Sequence, residues 1–194
     1  MTKFLITGAS GFIGANFVRK LVRDENEITV FLRKNSNLWR IQDIIPKINV
    51  RIIDMNDFNQ VKTSLKEINP EYIFHLAAYG GHTFQSDVDF IFRTNIMNSL
   101  YLMFSASNVC GDLKRFINIG ASTEYGPKLK PMEENDKKEP ITYEGISKYM
   151  QTILAQYFAL NKKLPIITLR LFSTYGPYEE PGRLVSDVVT ALIK

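Results

Sequence analysis

The sequence holds a single cysteine, Cys110, two histidines and one tryptophan, and each scarcity closes off a class of protein. One thiol cannot form an intramolecular disulfide, so the chain is not a cross-linked scaffold and suits a reducing, cytoplasmic setting. Nothing near the two histidines has metal-ligand spacing, so no metal is expected. No apolar run approaches the roughly 20 residues of a membrane span, and no basic-then-apolar leader opens the chain, which begins at once on a strand pattern. The formal charge is only +4, and its basic residues are scattered: Arg33/Lys34, Lys128/Lys130, Lys137/Lys138 and Lys162/Lys163 fall in different loops. A nucleic-acid footprint gathers on one element or face, so nucleic acid is not an expected partner. Solubility, or attraction for a small anion, accounts for the charge. With 45% hydrophobic and 23% charged residues over 194 positions, the chain can bury one sizeable globular core.

What is present begins at the first residues. Lys3-Phe4-Leu5-Ile6-Thr7 reads as a strand, and Gly8, Gly11 and Gly14 follow at spacing three around Ala9, Ser10, Phe12 and Ile13. Gly8 allows a tight turn, Gly11 lets a pyrophosphate approach the backbone, and Gly14 lets helix and strand pack closely. The helix that follows presents free N–H groups and a partial positive charge to an anion. A second strand, Ile28–Leu32, is continuously apolar, as a strand buried on both faces must be. Where dinucleotide folds usually place an acid for the ribose 2′-hydroxyl, this chain has Arg33 and Lys34, which suits the 2′-phosphate of NADP. A solvated loop is the alternative there.

The remaining pattern alternates strands and helices. Trp39, Ile41, Ile44 and Ile45 suggest a short helix; Asn49–Ile53 reads as a third strand ending at Asp54-Met55, positioned to touch an adenine, with a cap of the next helix by Asp54, Asn56 or Asp57 as the alternative. Tyr72–Ala78 reads as a fourth strand, with His75 as a core histidine and the small Ala77 and Ala78 letting backbone pass close to a cofactor beside Leu76. A long helix is expected over residues 87–108, a fifth strand at Phe116–Ile119, a helix from about Gly145 to Asn161 and a sixth strand at Ile166–Leu171. The expected fold is α/β, a doubly wound Rossmann-type parallel sheet with helices on both faces. Residues 1–170 form the dinucleotide-binding domain, and residues 171–194 begin a small or incomplete substrate-binding region.

Five motifs, in this order, carry a resemblance to a known family: Thr7-Gly8-Ala9-Ser10-Gly11-Phe12-Ile13-Gly14; His75-Leu76-Ala77-Ala78; Ser122-Thr123-Glu124-Tyr125-Gly126; Gly145-Ile146-Ser147-Lys148; and Leu169-Arg170-Leu171-Phe172-Ser173-Thr174-Tyr175-Gly176-Pro177. Together they resemble the extended short-chain dehydrogenase/reductases, the NAD(P)-dependent epimerase/dehydratase group that acts on nucleotide sugars. The resemblance implies a tyrosine that exchanges a proton with the sugar oxygen while hydride moves to or from the nicotinamide. It also implies a lysine that lowers the tyrosine pKa and holds the ribose, and a serine or threonine that orients the reacting oxygen. Lys148 matches the lysine. Four residues before it, where the family has its tyrosine, stands Glu144, and Tyr143 stands five before. Five residues turn a helix about 140° past a full turn, so Tyr143 serves only if the helix starts near Gly145; otherwise Glu144 is itself the acid/base or the site is degenerate. Ser122, then Thr123, are the candidate hydroxyls, because the family's usual position, four before Tyr125, is Ala121. A slip of one residue also aligns Glu124 with the proton-abstracting glutamate of dehydratases.

The resemblance further implies a longer chain with a substrate lobe. It implies a homodimer through a four-helix bundle built on Leu100, Met103, Phe104, Met150, Leu154 and Tyr157. The leading functional expectation is NADP-dependent reduction of a 4-keto-deoxysugar nucleotide, with NAD possible as cofactor. A 4,6-dehydratase or epimerase with retained cofactor is the runner-up, and a dinucleotide-binding module without turnover is the alternative of another class.

Overall fold

The computed structural model describes residues 1–193. Six strands, β1 (Lys3–Thr7), β2 (Glu27–Leu32), β3 (Asn49–Ile52), β4 (Tyr72–His75), β5 (Arg115–Ala121) and β6 (Ile166–Leu171), form one parallel sheet in the order β3-β2-β1-β4-β5-β6. That is the doubly wound dinucleotide-binding order, reversing between β1 and β4, and ligands bind such sheets at the carboxyl ends of the strands beside that reversal. The helices are α1 (Phe12–Leu21), α2 (Phe58–Ile68), α3 (Val88–Phe92), α4 (Asn98–Val109), α5 (Tyr143–Lys162) and α6 (Leu184–Ile193).

Alternation along the strands splits the core in two, because successive side chains leave opposite faces. Leu5 on β1, Ile73 and Phe116 face Val61 and Leu65 of α2, Leu102, Met103 and Ala106 of α4, and Ala155 and Phe158 of α5. Ile6, Ile28 and Val30 face Ala15 and Val18 of α1, with Ile41 and Ile44 closing that side. Each fully buried aliphatic here contributes about 1.5–3 kcal/mol. The expected short helix after β2 is a tight three-residue-per-turn segment, Gln42–Lys47: Pro46 lies inside it and removes a donor. The helix expected over 87–108 runs through one wider turn, Arg93–Met97, between α3 and α4, a break that no residue of the segment announces. Of the caps expected after β3, Asp57 is the one used: it accepts from the Asn59 and Gln60 amides and caps α2.

His75 ties these layers together. Thr7 lies opposite it in the β1–β4 register. The Thr7 hydroxyl is 2.7 Å from Nδ1, and Nε2 is 2.8 Å from Ser99 Oγ. Ser99 spends its own proton on the Asn95 carbonyl, 2.7 Å away, so Nε2 must carry the ring proton and Nδ1 accepts from Thr7. Burial, and secondarily the charge of Lys148, pushes the His75 imidazole down to about 3. An unfolded chain takes up that proton near 6.5 and the folded one does not, so the unfolded state binds more protons between 6.5 and 3. Stability is therefore held above pH 6.5 and lost as the pH falls through that window. Urea unfolding at pH 7 and pH 5 should show a loss of about 2 kcal/mol from this group, with partly buried His82, whose pKa is also lowered, adding in the same direction. His75→Gln should lose much less over the same interval; equal losses in both proteins would show that the acid sensitivity lies elsewhere.

Candidate active site

The glycine turn is built by close approach. Gly8 has φ +72°, a left-handed conformation costly to any residue with a Cβ, and a Cβ there would sit 2.6 Å from the Leu76–Ala77 backbone. A Cβ on Gly14 would overlap the Gly8 carbonyl oxygen, so β1, the turn and α1 can meet only with glycine at both positions. Gly11 caps α1 without a side-chain acceptor. The first-turn N–H groups of Phe12, Ile13 and Gly14 thus point to the open end of the sheet, as a phosphate requires. This cradle fits a dinucleotide pyrophosphate.

Around it the sequence-expected residues take different places. Arg33 is exposed at the end of β2, its guanidinium 5.9 Å from the Phe90 ring, and its amide is fixed by Ser36 Oγ at 3.0 Å. Asp54 is exposed past β3 and accepts from the Asn56 amide at 2.9 Å, while Met55 turns into the core. Leu76 and Ala77 pass directly under Gly8. A residue the sequence did not single out is Arg40. It is buried, donates to the Tyr178 carbonyl at 2.7 Å, and lies 2.6 Å from Glu180 in an ion pair that is not aligned as a hydrogen bond. With Asn16 donating to the Pro177 carbonyl at 2.8 Å, it draws the segment after β6 back across the glycine turn. Arg183, reaching the Gly81 carbonyl at 2.6 Å, pins that segment to the loop after β4.

The other half of the site forms where β5 meets α5. Thr142 caps α5 by accepting from the Gly145 amide at 3.0 Å, so the helix begins at Tyr143 rather than near Gly145. Gly145 in turn lies against the Thr123 carbonyl, where a Cβ would stand 2.6 Å away. Tyr143 is therefore in regular helix and faces outward, 58% exposed and edge-on to Phe92. The structure does not bring it to Lys148. Glu144 and Lys148, four apart, share a face. Thr123 Oγ1 donates to Glu144 Oε2 at 2.6 Å, and Glu144 packs against Gly80 at the carboxyl end of β4. Lys148 is buried; desolvation pushes its ammonium down to about 8, opposed by the charges of Glu144 and Glu124. Ser122 opens the turn after β5, half-buried.

Glu124 does not take the dehydratase role that the slipped alignment suggests. It is fully buried on the far side of the turn, with Arg170 Nε and Thr152 Oγ1 both 2.9 Å from Oε2 and the Ala121 amide 2.9 Å from Oε1. Both carboxylate oxygens are engaged in holding the β5–β6 corner. Asn95, in the wide turn before α4, is a second residue that pattern reading missed. Its side chain pairs with both backbone groups of Tyr79, at 2.9 and 2.8 Å, and donates to Ser147 Oγ at 2.8 Å, joining the loop after β4 to α5. Met103 is core rather than surface, and the exposed apolar residues of α4, its preceding turn and α5 include Met97, Phe104, Met150, Ile153 and Tyr157.

Among the described residues no cluster of His, Cys, Asp and Glu can hold a metal, and no helix is long and apolar enough to cross a membrane. Residues 4–194 match the model of the NAD dependent epimerase/dehydratase family. Similar proteins include the UDP-glucose 4-epimerase of Mycoplasma pneumoniae, 24% identical over 100% of this chain and 60% of its own length. The dTDP-glucose 4,6-dehydratase of Salmonella typhimurium is 27% identical over 96% of this chain and 58% of its own length. Among solved structures, a dTDP-glucose 4,6-dehydratase from Streptomyces venezuelae with bound NAD superposes with a TM-score of 0.84 at 25% identity, over 98% of this chain and 62% of that one. A UDP-glucuronic acid 4-epimerase from Bacillus cereus, also with NAD, has the same fold at a TM-score of 0.85, 24% identity, and coverage of 99% and 63%. The chain thus spans less than two thirds of the length of these relatives. With its sheet order, its glycine cradle and the match over nearly all its residues, the chain belongs to the NAD dependent epimerase/dehydratase family.

Proposed function

We propose that the chain binds a nicotinamide dinucleotide and carries out hydride chemistry on a nucleotide-activated sugar, as an epimerase or dehydratase does. The observation that supports this most directly is the convergence of the Gly8–Gly14 cradle and the Thr123–Glu144–Lys148 group at the carboxyl ends of β1, β4 and β5. In this reading Gly8, Ser10, Gly11, Phe12, Ile13 and Gly14 hold the pyrophosphate, and Asp54, Leu76, Ala77 and Ala78 border the adenosine side, whereas Met55, turned into the core, does not line it. Lys148 holds the nicotinamide ribose. When bound, the dinucleotide supplies the hydride acceptor and donor. Glu144 takes the proton of the sugar hydroxyl as the hydride leaves the same carbon and returns it when the carbonyl is reduced, with Ser122 and Thr123 orienting that oxygen.

A second reading is favoured by the same carboxylate: Glu144 at the tyrosine position makes a dinucleotide-binding module without turnover. Hydride transfer with UDP- and dTDP-sugars decides between them. An active protein should lose roughly 100-fold or more in kcat on Glu144→Gln with NADH affinity unchanged. NADH binding without sugar-dependent hydride transfer, regained on Glu144→Tyr, identifies the module.

We further propose NADP as the preferred cofactor and, with it, reduction of a 4-keto-deoxysugar nucleotide as the narrower activity, supported by Arg33 and the lack of an acid after β2. Arg33→Ala should weaken NADPH by roughly 10-fold or more in fluorescence titrations and leave NADH unchanged; an equal effect on both would remove Arg33 from the cofactor site.

The exposed stripe of Phe104, Met150, Ile153 and Tyr157 supports a homodimer across α4 and α5. Sedimentation should give twice the 22.3 kDa chain mass, and Ile153→Asp should give the monomer; a wild-type protein monomeric at micromolar concentration would contradict the assignment.

A further inference from the structure

One buried polar chain runs from the active site into the sheet and serves none of the roles described above. Lys148 Nζ donates to Gln151 Oε1 at 2.6 Å; Gln151 Nε2 donates to Asn118 Oδ1 at 2.8 Å; Asn118 Nδ2 donates to Thr168 Oγ1 at 3.1 Å. Gln151 and Asn118 are wholly inaccessible to solvent, and Lys148 is nearly so. Asn118 and Thr168 are opposite one another in the β5–β6 register, so the chain is anchored on two paired strands.

Its polarity has one source. A threonine hydroxyl both donates and accepts, so Thr168 tolerates either orientation of Asn118, and Asn118 tolerates the matching orientation of Gln151. An ammonium only donates. It therefore demands the carbonyl end of Gln151, which turns the amide nitrogen to Asn118 and orders the rest. Reversed, the chain would press an NH₂ group against a buried cation, which leaves a donor unsatisfied in a low-dielectric site. Gln151 sits three residues after Lys148 and draws the ammonium toward the sheet, away from Glu144 four residues before it.

We propose that Gln151 is the positioning residue of Lys148, its carbonyl holding the ammonium and Asn118 with Thr168 holding the Gln151 amide in the one orientation that does so. The inference rests on the reading of Lys148 as the lysine of the cofactor site. The charged or titratable groups acting on Lys148 from neighbouring elements are Glu144 on its own helix, Glu124 in the turn after β5, and His75 on β4, which is neutral above pH 3.

The test follows the Lys148 side chain by NMR in protein labelled at lysine, its signal assigned with Lys148→Met, as the pH is raised from 6 to 11. Gln151→Leu should lower the proton affinity of the amine about tenfold or more, the worth of one charge-assisted hydrogen bond. Gln151→Glu should raise it by a similar factor. Asn118→Leu, which frees the Gln151 amide to turn, should move it in the same direction as Gln151→Leu. A loss of thermal stability with an unmoved Lys148 titration in both Gln151 variants would overturn the proposal by reducing Gln151 to a packing residue. If Gln151→Leu does not fold, Gln151→Glu decides alone: an unraised proton affinity overturns the tether. NADH binding is read on the same samples, and failure of every form to bind it would remove the cofactor reading of Lys148 while the titration still decides what holds the amine.

Discussion

The site depends on how closely the first turn of α5 approaches the turn after β5. Thr142 ends the preceding loop by capping the Gly145 amide, and Gly145 has no side chain to hold the helix off the Thr123 carbonyl. Those two contacts set the phase of the helix. Given that phase, Glu144 meets the Thr123 hydroxyl, Lys148 is buried one turn on, and Tyr143 faces outward. A register shift of one residue, about 100° of rotation, would turn Tyr143 rather than Glu144 toward Thr123.

The same region shows how the fold separates holding from acting. Glu124 and Glu144 are both carboxylates near Lys148, yet one is enclosed by Arg170, Thr152 and the Ala121 amide while the other meets only a threonine hydroxyl beside an open loop. An enclosed carboxylate held by three hydrogen bonds gives rigidity at a desolvation cost. Thr7, His75, Ser99, Asn95 and Ser147 form a second rigid line, a directed set of hydrogen bonds from the glycine turn to α5. It fixes the glycine turn and α5 relative to one another through buried side chains.

Much of the architecture could be read before any coordinates. The period-two and continuous apolar runs identify all six strands, and the three glycines at spacing three mark the phosphate turn where it is found. Errors fall where local pattern competes with packing. Ile41 and Ile44 have helical spacing, but Pro46 denies the segment its donors. Glu124 matches a reactive motif by one slipped residue, and only its partner Arg170, 46 positions away, shows it to be structural. Arg40 and Asn95 carry no signal at all, because their partners, Tyr178 and Ser147, are remote in sequence.

What the sequence determined by itself was whatever depends on covalent neighbours: the strand and helix periodicities, the left-handed freedom at Gly8, the absence of an acid after β2, and the four-residue interval between Glu144 and Lys148. The tertiary structure alone decided which of Tyr143 and Glu144 faces the cleft, that Met103 is core, and that the chain after β6 returns across the glycine turn under the hold of Arg40 and Asn16. The reason is physical. Periodicity fixes the angle between two residues on one helix, but the direction in which that pair points depends on what the helix packs against, and those contacts come from residues far along the chain.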